Sequence, residues 1–332
     1  MKKNPIRALM LAGALLGAIP VGAQTPEWKS LSDQAIAAYR KGDVDLAEQA
    51  GTRALESATA AMGSEHLNVA TTQANLATIK ESKKKYAEAL DLQAKALATR
   101  EKQLGPDHLL VASSLNNLGS LYREVGKPAE AEAAFARALA IREKKLPPEH
   151  ADIATSLNNL GAIYRAEKRY AEAEPLYVRA LAIREKTLGP DHPDVATTLN
   201  NLGALHDAQD HYEQAEAYYK RAIAIREKAL GPNNLETATT LASLGEIYME
   251  QRKFDKAEEP LRRAYFIRVK ALGDKDPDTK LVQRDLWALY MGTDRLALAD
   301  EFTPEGEQTP NLAQRQRAAS APLSPKGTDP TR

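Results

Sequence analysis

The sequence predicts an all-α fold, an α-solenoid of stacked antiparallel helix hairpins. Three observations carry that expectation. Residues 188 to 229 match residues 146 to 187 at 24 of 42 positions without a gap. The same offset takes Leu188 back to Leu146, Leu104 and Met62, and on to Leu230 and Leu272. Within each unit, apolar residues recur at three- and four-residue steps in two runs separated by a polar turn, which is helical periodicity. A period of about 20 to 50 residues marks units that bury their apolar faces only against their neighbours. Function therefore belongs to a surface that several units share.

In the unit from Leu188, Asp191, His192 and Pro193 form a start signal. The acid is able to cap exposed amides, and proline loses nothing at a first turn. A first helix runs through Leu199, Leu202, Leu205 and His206 and ends at Gln209, Asp210 and His211. Tyr212 opens a second, through Ala215, Tyr219, Ala222, Ile223 and Ile225. Arg226 and Lys228 fall in its last turn, where cations favour the helix dipole, and Leu230-Gly231-Pro232 stops it. Gly203, Ala215 and Ala222 recur as Gly161, Ala173 and Ala180, and as Gly119, Ala131 and Ala138. A glycine inside a helix costs about 1 kcal/mol relative to alanine. Its repetition predicts closely approaching paired helices, with Tyr177 or Tyr219 filling the gap to the next hairpin.

Leu160, Gly161, Tyr164, Ala173, Tyr177 and Ala180 stand where the tetratricopeptide repeat (TPR) carries leucine, glycine, tyrosine, alanine, an aromatic and alanine. The pattern resembles that family, and LGPDHP, TTLNNLG and AIREK resemble the lengthened repeat of kinesin light chains. The resemblance covers roughly residues 28 to 303 and implies a right-handed α-solenoid, the TPR superhelix, of about seven helix pairs. It also implies that the first helix of each pair lines a concave groove, where an asparagine before the leucine holds the backbone of a bound peptide.

The ends of the chain differ from its middle. Lys2, Lys3 and Arg7 precede an apolar run from Ala8 to Ile19, and Val21-Gly22-Ala23 supplies small residues for cleavage. Residues 1–23 thus read as a secretory signal, since the run is well short of the ~20 residues that span a membrane. The expected address is periplasmic or secreted, with no stable membrane insertion after cleavage. Residues 24–303 form one elongated repeat domain. At its start Ser30 and Asp33 read as a capping box, and Trp287 in the glycine register relaxes stacking at its end. Residues 304–332, rich in proline and polar residues, bury too little surface to order and are expected to be a disordered tail.

Lys+Arg and Asp+Glu both number 45, so no excess of positive charge argues for nucleic acid. Without the signal the balance is 42 to 45, a net charge of −3. There is no cysteine, hence no disulfide and no thiol nucleophile. The sequence has no GxSxG, GxxxxGK[ST] or HExxH motif, so neither a catalytic residue nor a cofactor is expected. His66, His108, His150 and His192 recur once per unit. Repeats packed about 8 to 10 Å apart cannot bring them to one metal, and they read as part of the helix-start signature. His206 and His211 share a hairpin but lack further ligands. Lys83-Lys84-Lys85 reads as a solvated turn.

Asparagine carries the sharper signal. Asn75, Asn117, Asn159 and Asn201 recur at one position of the first helix, preceded by Asn116, Asn158 and Asn200 in three units. Asparagine is a poor helix former, and an amide that both donates and accepts suits the backbone of an extended peptide. The alternative is a ladder of amides that holds adjacent repeats together. Helical spacing puts Thr155, Asn159, Ala162 and Arg165 on one stripe, and Ser113, Asn117, Ser120 and Arg123 on the preceding one. Asp207, Glu246 and Glu250 take the corresponding edge farther on, so the groove is expected to run from basic to acidic. Candidate groove residues are Asn75, Asn117, Asn158, Asn159, Asn200, Asn201, Arg123 and Arg165, facing a protein or peptide with an acidic stretch. The expected role is a non-catalytic adaptor or assembly scaffold. A self-associating structural scaffold and, more remotely, an enzyme are the other classes.

Overall fold

A computed structural model of the protein describes residues 26–306. The expected signal and the tail beyond Gly306 lie outside them. Among the described residues, helices follow one another in seven hairpins. They are α1 (Glu27–Arg40) with α2 (Val44–Met62), α3 (Leu67–Ser82) with α4 (Tyr86–Leu104), and α5 (Leu109–Glu124) with α6 (Pro128–Lys145). Next come α7 (Ala151–Ala166) with α8 (Tyr170–Leu188), and α9 (Pro193–Asp207) with α10 (Tyr212–Leu230). Last are α11 (Leu235–Glu250) with α12 (Phe254–Leu272), and α13 (Pro277–Gly292) with α14 (Leu296–Glu301). The odd-numbered helices are called A helices and the even-numbered ones B helices. Two compact units divide the chain, one up to Thr240 and one from Leu241, so the division falls inside α11.

Helix starts follow the expected signal with one correction. His66, His108, His150 and His192 are the N-caps, and each Nδ1 accepts the backbone N–H two residues on at 3.1 Å. Asp191, expected to cap, instead pairs with Lys228 of α10, as Asp107 pairs with Lys144. The histidine wins because its backbone is already extended (φ −75°, ψ 141° at His192), the geometry from which a side chain reaches back to the first turn. At α1 the expected capping box does not form, since the helix starts at Glu27 and Pro26 offers no side-chain acceptor. Each hairpin turn passes through the left-handed region, at Gly42 and Gly126 but also at Lys84, Lys168 and Asp210.

In the first unit the core alternates between contacts inside a hairpin and contacts to the next. Ile153, Ala154 and Leu157 of α7 pack on Ala180 and Ile183 of α8. Ala173 and Tyr177 of α8 then pack on Leu202 and Leu205 of α9. The repeated glycine admits the aromatic ring of its own hairpin. A Cβ built on Gly161 lies 2.9 Å from the Tyr177 ring, and one on Gly203 lies 2.6 Å from the Tyr219 ring. The tyrosine therefore fills two gaps, under its own glycine and toward the next A helix. In the second unit Gly245 admits Leu261 in the same way.

The arginines read from the sequence as cations favouring the helix dipole are also buried. Arg184 donates to the backbone oxygen of Asp194 at 2.9 Å and to the Thr198 hydroxyl at 2.8 Å, both on the next A helix. Arg100, Arg142 and Arg226 do the same with Ser114, Ser156 and Thr240. Burial pushes these guanidiniums down, Arg100 to about 10, and at Arg226 the Glu236 carboxylate, 3.5 Å from Nε, opposes the shift. In the second unit Arg268 donates to the Asp278 backbone oxygen at 2.7 Å, and the hydroxyl place is Val282.

The lysine turn is not merely solvated. Lys80 and Lys85 each donate to Glu48 of α2 at 2.6 Å, and Lys83 pairs with both Glu48 and Asp45. Burial works against the Glu48 charge, but hydrogen bonds from Lys80, Lys83 and Lys85 outweigh it and hold the carboxyl at about 2.

Candidate interaction face

The asparagine run lies on the A helices of the first unit, with Asn75 on α3 and a consecutive pair on each of α5, α7 and α9. The two asparagines of each pair do different work. The first belongs to the contact between repeats. Asn116 Oδ1 accepts from Asn159 at 2.8 Å, and Asn158 Oδ1 accepts from Asn201 at 3.3 Å. Asn158 also donates to Thr198 at 2.9 Å, and Asn200 accepts from Thr240 at 2.9 Å. Asn158 is 5% exposed with both ends of its amide bonded inside the protein. It serves the stack, and its candidacy for holding a guest is corrected accordingly. Asn200 likewise spends its carbonyl oxygen on the neighbouring helix.

The second asparagines are half-buried and keep bonding capacity. Asn159 and Asn201 each give one donor to the preceding repeat and retain their carbonyl oxygens. Asn75 and Asn117, whose preceding repeats offer no such acceptor, make no side-chain hydrogen bond among the described residues. Ala74 stands in the first-asparagine place of α3, which explains why Asn117 has nothing to donate to.

Of the two candidate cations, Arg123 pairs with its neighbour Glu124 at 3.0 Å. Arg165 makes no ion pair among the described residues, and its Nε is buried without an acceptor. Both guanidiniums act on the Tyr177 hydroxyl. Burial pushes that hydroxyl up, while Arg165 beside it and Arg123 farther off pull it down. Arg123 of α5 and Arg165 of α7 hold the same register place on successive A helices. Asp207 takes the Arg165 register place on α9, whereas Glu246 and Glu250 belong to the second unit.

Reading charge and composition missed the Arg–Ser/Thr stitches. A signal for them is present, because Arg100, Arg142, Arg184 and Arg226 each have a serine or threonine 14 residues later. Among the described residues no group of three or more His, Asp or Glu could hold a metal ion, and no helix is long and apolar enough to cross a membrane.

Comparison with known proteins agrees with this architecture. The tetratricopeptide repeat profile matches residues 29–102, 74–144, 152–228 and 212–269. A Podosopora anserina protein described as a kinesin light chain with nearly identical TPR-like repeats is 25% identical, with 62% of this chain and 98% of that one covered and a TM-score of 0.53. The apo form of RapI is 16% identical, with 89% and 100% covered and a TM-score of 0.65. A Rap protein complexed with Competence and Sporulation Factor is 16% identical, with 83% and 93% covered and a TM-score of 0.53. No curated protein matches the chain.

Proposed function

Because the chain belongs to the tetratricopeptide repeat family, whose stacked hairpins form a protein-interaction scaffold, we propose that its A-helix face holds an extended peptide or protein segment. The observation that carries this reading is a row of second-position asparagines with bonding capacity left over. Asn75 and Asn117 keep whole amides, and Asn159 and Asn201 keep carbonyl oxygens anchored by the ladder behind them. An amide already fixed in orientation loses little freedom when it bonds a guest backbone. Arg165, lacking a carboxylate of its own, and Arg123, at the same register place one repeat earlier, favour a guest with an acidic stretch. The Rap protein bound to Competence and Sporulation Factor shares the fold, which makes a guest compatible with this architecture. Affinity for a short guest is expected near micromolar, about −8 kcal/mol.

The protein acts, in this reading, as an exported non-catalytic adaptor or assembly scaffold. Export rests on the basic, apolar and small-residue succession of residues 1–23, and gives a periplasmic or secreted location. Capture of envelope proteins on the mature chain tests the proposal. The comparison is wild type against Asn159→Ala/Asn201→Ala and against Arg123→Glu/Arg165→Glu. Loss of the same partner in both variants supports it. If both variants stay folded and keep every partner, the A-helix face is not the binding surface.

A further inference from the structure

A recurring clasp joins successive hairpins, closing two residues of an A helix and its turn on a glutamate of the preceding B helix. In the first unit Lys80 and Lys85 close on Glu48 at 2.6 Å. Arg169 closes on Glu132 at 2.8 Å and lies 4.0 Å over the Tyr164 ring. In the second unit Arg295 closes on Glu258 at 2.7 Å, and Tyr290 donates to the same carboxylate at 2.9 Å. Lysine and arginine hold their charge across the ordinary pH range, so these clasps stay shut.

One copy is built from different chemistry. The register places of Tyr164, Arg169 and Glu132 are taken, one unit later, by His206, His211 and Glu174. His206 is 7% exposed, and its Nδ1 is buried with no hydrogen-bond partner. Its Nε2 lies 3.6 Å from Glu174 Oε1, beyond a good hydrogen bond. The ring stacks on Tyr218 with centroids 5.4 Å apart and planes 14° apart, and His211 stands at 5.9 Å. The charged and titratable groups facing it are thus Glu174 from α8, His211 from the turn and Tyr218 from α10.

We propose that this junction is an acid-sensitive joint, in which protonation of His206 loosens the packing of α8 against α9 and α10. A protonated imidazole carries two N–H donors, and the one at Nδ1 has no acceptor in its buried place. His211 would add a like charge, and Glu174, about half exposed, offsets only part of the cost. The direction of titration agrees. Burial holds His206 below the ordinary histidine range, Glu174 opposes that and His211 reinforces it. The unfolded chain then takes the proton more readily than the folded one. Stability of the joint is complete above the free-histidine range and declines as pH falls through it. The inference is independent of the peptide-binding reading, since none of these residues belongs to the asparagine row.

Hydrogen exchange on the full chain at about pH 7.5 and about pH 5.5, spanning the histidine range and corrected for intrinsic rates, tests it. The control is His206→Tyr, which copies the residue found at Tyr164. Wild type should lose protection in α8, α9 and α10 on acidification, and His206→Tyr should not. An equal acid response in the two proteins overturns the proposal. Should the variant fail to fold, an NMR titration of wild type decides. A His206 midpoint below that of His211 supports the joint, and one at or above it refutes it.

Discussion

Arg142, in the last turn of α6, donates to the Ser156 hydroxyl in the middle of α7 at 2.6 Å, with both side chains buried. The same Nη1 reaches the Asp152 backbone oxygen at 3.1 Å. A hydrogen bond to a charged donor contributes about 1.5 to 3 kcal/mol. A double-mutant cycle on Arg142→Ala and Ser156→Ala should therefore show a coupling of about 1 to 3 kcal/mol in urea denaturation. Simple additivity would show that the bond to Ser156 contributes nothing, leaving the arginine its Asp152 contact and its packing.

Gly203 faces the Tyr219 ring so closely that an added methyl would sit 2.6 Å away. Alanine would raise intrinsic helix propensity by about 1 kcal/mol, but overpacking a buried ring costs about 1 to 3 kcal/mol. Gly203→Ala should lower the thermal midpoint, with the clash winning. In the first full repeat Ala77 already fills the glycine place, and the residue at the tyrosine place is Gln93, without a ring. A raised midpoint would contradict the packing described.

Glu48 is held at about 2 by its three lysines, against an ordinary value of 4.5. A carboxyl depressed in the fold contributes stability that is present above 4.5 and is lost as pH falls toward 2. Glu48→Gln should reduce stability at neutral pH and flatten the acid limb of the stability curve through that window. Wild-type and variant curves that stay parallel there would disprove the assignment.

His192 caps α9 through Nδ1, and at later junctions Asn234 and Asp276 supply the same bond. His192→Ala should cost about 1 kcal/mol, and His192→Asn should restore most of it. Chemical denaturation of the two variants checks this. If both lose equally, the histidine matters for its ring and not as an acceptor.

Much of the fold is legible in the sequence because a repeat protein is nearly one-dimensional, and each unit meets only its neighbours. The 42-residue offset, the two runs of each unit and the glycine–tyrosine pairing are local patterns. The last-turn arginines are a different case. A cation at a helix end is ordinarily exposed, and only the next hairpin, laid over Arg184, turns it into a buried stitch to Thr198. The same holds for asparagine. Sequence alone gives Asn158 and Asn159 equal standing, while packing sends one amide into the ladder and leaves the other partly open. The sequence names Asp191 as the capping residue, and the extended backbone at His192 gives that bond to the histidine instead.

The account rests on the A-helix face taking a guest chain. A photo-cross-linker placed at Asn117, whose amide makes no hydrogen bond among the described residues, and at Ala182, exposed on the B helix α8, tests that most directly in cells producing the protein. The account predicts a discrete cross-linked partner from position 117 and none from 182, with the 117 product abolished by Arg123→Glu/Arg165→Glu. Cross-linking from 182 alone, or from 117 unaffected by that reversal of charge, would contradict it.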